Sequence, residues 1–346
     1  MVAPIREHQS QHDAIADLPL ITESARVTDV TRMDRNRRSE VTAAVARWLE
    51  ERGVAHEYGP VEGPDDCRRL SARLGRDGRP AVARRVATLA ERIERPEPML
   101  TRVRFRTEAD VDFLAGQYVG LRYGGTSRAY SLASSPTEDE LEICVRRMPG
   151  GRLSPRLCDE LTVGDELTIR GPYGELVLQD HSPRDMVFLA TGTGVAPFKS
   201  MIDRVFETGR DEHAGGRRDV WLFLGAGWED DLPYREAFRE LDRTRENFHF
   251  VPCLSREPVL SEWDGETDYV QHALLKHADS AAVTAGTGER LERWLRARPR
   301  SGVEARIDPA NAEVYACGIN AMVHGLVEAV ERLGVPESRI ESEGFG

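Results

Sequence analysis

Residues 185–198 read DMVFLATGTGVAPF, and this stretch constrains the chain more than any other. The run MVFLA is apolar at odd and even positions alike, so a strand made from it is buried on both faces, as in a parallel sheet covered by helices. Gly192 and Gly194 follow at the strand end. They let the backbone turn tightly and approach a ligand, and the helix expected from Ala196 to Phe206 offers N–H groups and a positive dipole end to a phosphate. The loop is not a Walker A sequence, because no glycine precedes Lys199 at the required place. It is not a full G-x-G-x-x-G either, because Pro197 takes the third glycine's position. Alone, such a glycine pair is most often only a turn.

The pattern recurs. DVWLFLGAG leads into a helix expected at 234–241, NFHFVPCL into one at 269–276, and AEVYACG into one at 321–333. Apolar strands alternating with helices predict a doubly wound α/β parallel sheet. Residues 99–180 have a different texture, of short β-rich runs divided by turn residues: MLTRVRFRT, GQYVGLRY, RAYSLAS, ELEICVRR, ELTIRG and GELVLQD. These predict an antiparallel β-barrel or sandwich, with ITESARVTDVTRM as its first strand. The halves meet near 181–184, which divides the chain into a barrel domain, 1–182, and an α/β domain, 183–346. Between the first two barrel strands lies a helical, arginine-rich insertion, 34–95. In it, Val41, Val45, Trp48 and Leu49 mark one amphipathic helix, and Val82, Val86, Leu89 and Ile93 another.

Charge and cysteine usage narrow the function classes. The net charge is −12, yet residues 31–96 carry 15 Arg against 11 Asp and Glu, leaving −16 on the remainder. Nucleic acid is therefore not an expected partner, whereas the arginine-rich part suits an acidic surface. Five scattered cysteines without a C-x-x-C pair predict no disulfide framework and no metal site. No apolar run approaches the ~20 residues of a membrane helix, and the first thirty residues lack a signal-peptide pattern. A cytoplasmic protein is the expectation.

RAYSLASSP, GGRLSPRLCDEL, GPYGELVL, LATGTGVAPFKSM and VYACGINAMV occur in this order. Together they resemble the plant-type ferredoxin–NADP reductase superfamily over residues 99–346. The resemblance implies an N-terminal FAD-binding barrel and a C-terminal NAD(P)-binding sheet, the same division that the strand textures predict. It implies that Arg128 pairs with the FAD pyrophosphate, that Ala129 and Tyr130 lie along the flavin, and that Ser131 points its hydroxyl at flavin N5. Gly151, Arg152, Leu153 and Ser154 would form a second pyrophosphate clamp, assisted by Arg146. Thr191, Gly192, Thr193, Gly194 and Pro197 would receive the coenzyme diphosphate. Cys317 and Gly318 would face the nicotinamide. Glu343 would be the carboxylate beside it, with Glu341 as competitor, and Phe345 would stack on the flavin. Gly346, after the aromatic, departs from the family's ending.

For the coenzyme, Ser255, Arg256, Tyr269 and Gln271 resemble the elements that hold the 2′-phosphate and adenine of NADP. Glu229 or Asp230 could instead bond a ribose hydroxyl, as in NAD enzymes. NADP is the favoured expectation and NAD the alternative. The function so implied is hydride transfer between NADPH and flavin N5, with one-electron transfer to or from a separate ferredoxin or flavodoxin. The alternatives are the NADH-dependent reductase component of an oxygenase, a flavin reductase, or a flavin-holding docking subunit. The 34–95 insertion reads as a packed helical decoration ahead of a partner-docking surface. Residues 279–312 read as an addition to the nucleotide half, with a helix start in GTGER.

Overall fold

The computed structural model describes residues 6–7, 20–51, 55–59, 61–179, 181, 283 and 289–345 together with 182–281. Six antiparallel strands form the first half: β1 (Ile21–Arg32), β2 (Leu100–Thr107), β3 (Tyr118–Tyr123), β4 (Thr126–Ser131), β5 (Leu141–Arg146) and β6 (Glu166–Tyr173). Their order is β4-β3-β6-β1-β2-β5. A bridge between Leu132 and Ile143 brings the two edges together and nearly closes the barrel. Strand β2 shows why the sequence takes this form. Val103 and Phe105 point into the barrel and are fully buried, while Arg102 and Arg104 point outward and reach Asp29 and Glu142 at 3.0 and 2.6 Å on the flanking strands.

GELVLQD does not form the expected strand. Its described residues, 174–179, run as irregular chain. The reason is competition for its apolar side chain: Leu176 is fully buried in a core shared with the α/β half, and the Gln179 N–H donates to the Tyr315 hydroxyl.

The second half contains β7 (Asp185–Thr191), β8 (Val220–Ala226), β9 (Phe248–Leu254), β10 (Ala312–Ile319) and β11 (Ile340–Phe345), all parallel, in the order β11-β10-β7-β8-β9. A two-residue strand, Arg6–Glu7, extends this sheet by pairing with β11. That pairing places part of the 1–182 segment on the α/β sheet, because β11 offers an open edge. Helices Ala196–Glu207, Arg235–Thr244, Val270–His277 and Asn320–Arg332 follow β7 to β10 in turn. From β7 the chain moves outward to β8 and β9, then returns to β10 on the other side of β7. The gap between β7 and β10 is thus a topological switch point, where open α/β sheets bind ligands.

The insertion folds as α1 (Arg38–Glu51), a single helical turn at Ala55–Tyr58, α2 (Pro64–Arg76) and α3 (Pro80–Glu94). Helix α2 escaped the sequence reading, although Cys67, Leu70 and Leu74 carry its apolar stripe among many charges. The three helices share a core that also takes in Trp228 from the α/β half, so the insertion is anchored across the domain boundary. In the 279–312 addition, a helix spans Glu289–Leu295 and its Trp294 stacks on His272 at 4.2 Å. Gly286 to Gly288 of GTGER, and Gly346, lie outside the described residues.

Candidate active site

A cleft of about 650 Å³ opens at the switch point, within the range of nucleotide-sized ligand sites. Thr191, Gly192 and Thr193 line it. Gly192 has φ +53° and open space where a side chain would project, so its backbone is free to approach a ligand. Gly194 serves differently. A Cβ there would lie 2.5 Å from the Cys317 carbonyl oxygen, and one on Gly318 would lie 2.3 Å from Thr191 Oγ1. Those two glycines let the β7 turn press against the end of β10. Pro197 is buried at the start of the following helix and is not part of the lining.

The barrel meets this sheet through a shared core. Ala133, two residues beyond Ser131, packs in one cluster with Cys317, and Phe345 lies against it. Lys199 adds a polar tie, donating to the Ala133 carbonyl at 3.2 Å and to Asp203 at 2.8 Å. Cys317 pairs in register with Glu343. Both are buried, and burial together with the Glu343 carboxylate pushes the Cys317 thiol well above its ordinary range. It is held as a neutral thiol.

On β4, Ser131 is 8% exposed and pairs across to Tyr118. Tyr130 is half-buried, and desolvation raises its phenol above the usual value, so it stays protonated. Arg128 is exposed on the same strand beside Ala129, and its Nη1 donates to the Ser127 carbonyl. Among the described residues it faces no carboxylate, so its fork is available to an anion. At the second clamp, a Cβ on Gly151 would lie 2.9 Å from the Met148 carbonyl oxygen. Leu153 anchors the turn by burial, Ser154 Oγ accepts from the Met148 N–H at 3.0 Å, and Arg152 is exposed. The exposed Arg128 fork and the Gly151–Ser154 turn are chemically suited to a phosphate-bearing group.

Ser255, Arg256, Tyr269 and Gln271 all line the cleft. The Ser255 and Arg256 N–H groups donate to the Ala226 and Gly227 carbonyls at 3.1 and 2.9 Å, which fastens their loop over the end of β8. Tyr269 presents its ring with 58% exposure.

Two family models match the chain, the oxidoreductase FAD-binding domain over residues 95–178 and the oxidoreductase NAD-binding domain over residues 188–328. Ferredoxin–NADP reductase B of Sorangium cellulosum is 31% identical over 240 residues, which cover 67% of this chain and 85% of that protein. The chain belongs to the ferredoxin–NADP reductase superfamily. It therefore carries an FAD-binding domain and an NAD(P)-binding domain. The reductase component of phenol 2-monooxygenase from Pseudomonas is 34% identical over 53% of this chain and 51% of that protein. The propane 2-monooxygenase reductase component of Rhodococcus jostii is 30% identical over 68% of this chain and 56% of that protein. The chain thus spans about half the length of these oxygenase reductases. The fold is shared with a Neisseria gonorrhoeae ferredoxin–NADP reductase solved with FAD and NADP, at TM-score 0.55 and 22% identity over 72% of this chain and 93% of that one. No described helix is long and apolar enough to cross a membrane.

Neither superfamily model covers α1 to α3, yet this region supplies part of the cleft. Thr88, Glu91, Arg92 and Arg95 line it together with the glycine turn. Behind them is a network of arginines and carboxylates. Arg37 holds Glu257 through two hydrogen bonds of 2.8 and 2.9 Å. Arg92 holds Asp230 at 2.6 Å, and Arg95 holds Asp231 at 2.7 Å and Asp34 at 3.3 Å. Arg146, expected at the FAD pyrophosphate, turns into the cleft and lies 3.7 Å from Asp231. Asp230 and Glu229, the candidate ribose ligands, are taken up elsewhere: Asp230 by this network and Glu229 by Arg239 and Arg235. Neither lines the cleft. The sequence signal for the network was present as an acidic run, WEDD, in one half and an arginine excess in the other.

Proposed function

We propose that the protein is an FAD-dependent NADPH oxidoreductase that exchanges electrons with a separate protein, an iron–sulfur protein, a flavodoxin or an oxygenase component. The observation that carries this reading is the convergence of the Ser131 strand, Cys317, Glu343 and Phe345 around the shared core, beside a cleft that holds the glycine turn and Arg256. Bound FAD and NADPH supply the hydride and electron chemistry; the chain positions them. Arg128 and the Gly151–Ser154 turn retain the flavin phosphates. Ser131 directs a hydroxyl at the flavin edge from a nearly buried strand end, where a hydrogen bond is not diluted by water. Cys317, neutral and packed, sets the end of β10 against the glycine turn that receives the coenzyme. Glu343 sets a carboxylate behind it, and Phe345 closes the cleft on the flavin side.

Arg256 supports NADP over NAD. The other cleft-lining arginines, Arg92, Arg95 and Arg146, face carboxylates, whereas Arg256 has no ion-pair partner among the described residues and suits a 2′-phosphate. The oxygenase reductases among the relatives make an oxygenase component a reasonable acceptor.

Anaerobic mixing tests the reading. NADPH is expected to bleach the flavin absorbance in a rapid phase, with NADH slower at equal concentration. Bleaching by neither coenzyme would remove the proposal. For Ser131→Val, the bleaching rate is expected to fall by roughly 100-fold, the order that loss of one positioned donor costs, with FAD still bound in stoichiometric amount. A purified variant lacking FAD would assign Ser131 to flavin retention instead.

A further inference from the structure

Thr88, Glu91 and Arg92 recur at helical spacing, so they share one face at the C-terminal part of α3, and that face, with Arg95 just past the helix end, looks into the cleft. The helix cannot swing away cheaply. Its Arg92 is 3% exposed and held by Asp230, and its guanidinium lies 6.0 Å from the Trp228 ring, which is itself part of the insertion's core. The charges on the cleft wall are nearly all matched. Arg92, Arg95 and Arg146 face Asp230 or Asp231, and Asp268 accepts from Lys276 at 2.6 Å. Among the described residues, two cleft-lining charges have no ion-pair partner: Arg256, and Glu91 on α3.

From this we infer that α3 is a wall of the coenzyme cleft and that Glu91 is a specificity-determining residue set against Arg256. The inference rests on the reading that the cleft receives a nicotinamide dinucleotide. A carboxylate accepts hydrogen bonds from ribose hydroxyls but repels phosphate, whereas a guanidinium attracts phosphate. Glu91 therefore lowers the advantage that Arg256 gives the 2′-phosphorylated coenzyme, and the balance between them sets how strictly NADP is preferred over NAD. The insertion is then more than a decoration: it takes part in coenzyme discrimination.

Calorimetric titration of the FAD-loaded protein with NADP⁺ and with NAD⁺ tests this without turnover. Glu91→Gln is expected to raise the ratio of NADP⁺ to NAD⁺ affinity about three- to tenfold at low salt, as removal of one like charge from the wall of the same cleft implies, and the gain is expected to shrink as salt is added. Glu50→Gln, the same charge change on exposed α1, is expected to leave the ratio unaltered. A ratio in Glu91→Gln within about 1.5-fold of the parent, or an equal rise in Glu50→Gln, would overturn the inference. Arg256→Ala separates the two levels of the argument. If that variant lowers the ratio while Glu91→Gln does not change it, the cleft reading stands and the role of α3 fails. If NADP⁺ binding is indifferent to both, the cleft reading itself is wrong.

Discussion

Asp230→Ala is expected to lower the stability of the folded protein by about 3–5 kcal/mol, the cost of removing one partner from a buried ion pair. Three arginines converge on this carboxylate, Arg92 at 2.6 Å, Arg95 at 3.1 Å and Arg37 at 3.4 Å. Their side chains are 1%, 11% and 3% exposed, so water replaces the lost partner poorly. Chemical denaturation of the FAD-loaded protein measures the effect, and a loss under 1 kcal/mol would contradict it. The double variant Asp230→Ala with Arg92→Leu is expected to recover part of the loss, because it removes a charge left unmatched. The network is also acid-sensitive. Burial pushes the Glu257 carboxyl up, but the Arg37 hydrogen bonds and the Glu229 N–H outweigh it, and the group ends below its usual range. Its contribution is therefore complete above the ordinary glutamate pKa of about 4.3 and is lost as pH falls through the lowered folded value.

For Arg256→Ala, the KM for NADPH is expected to rise by about 10- to 100-fold, the equivalent of charge-assisted hydrogen bonds worth ~1.5–3 kcal/mol, while the KM for NADH changes by less than about twofold. The asymmetry is the informative part. The loop that carries Arg256 is fastened by backbone hydrogen bonds from Ser255 and Arg256 to Ala226 and Gly227, so truncating the side chain leaves its frame in place. Steady-state kinetics with both coenzymes checks it, and equal increases for the two would remove Arg256 from the 2′-phosphate role.

Much of the fold was legible because burial on both faces leaves a continuous apolar run. DMVFLA, VWLFL and AEVYACG could be little else than parallel strands, and the alternating arginines of β2 could be little else than the outer face of a barrel. GELVLQD misled for the complementary reason: its leucines look like a strand, but they bury against the other domain. Helix α2 was missed because its apolar stripe is thin among the charged residues, and the packing of Gly194 against the end of β10 was not legible because sequence cannot say which side of a turn is packed.

The sequence by itself determined the local elements, the order of the two halves and the motifs that mark the superfamily, since these depend on periodicity, turn chemistry and short-range spacing. Only the tertiary structure decided that Asp230 belongs to an ion-pair network, that Arg146 looks into the cleft at the switch point, and that α3 walls that cleft. Each of these depends on pairs such as Arg92 with Asp230, 138 residues apart, and a charge in a sequence carries no mark of which distant charge will neutralise it once water is excluded.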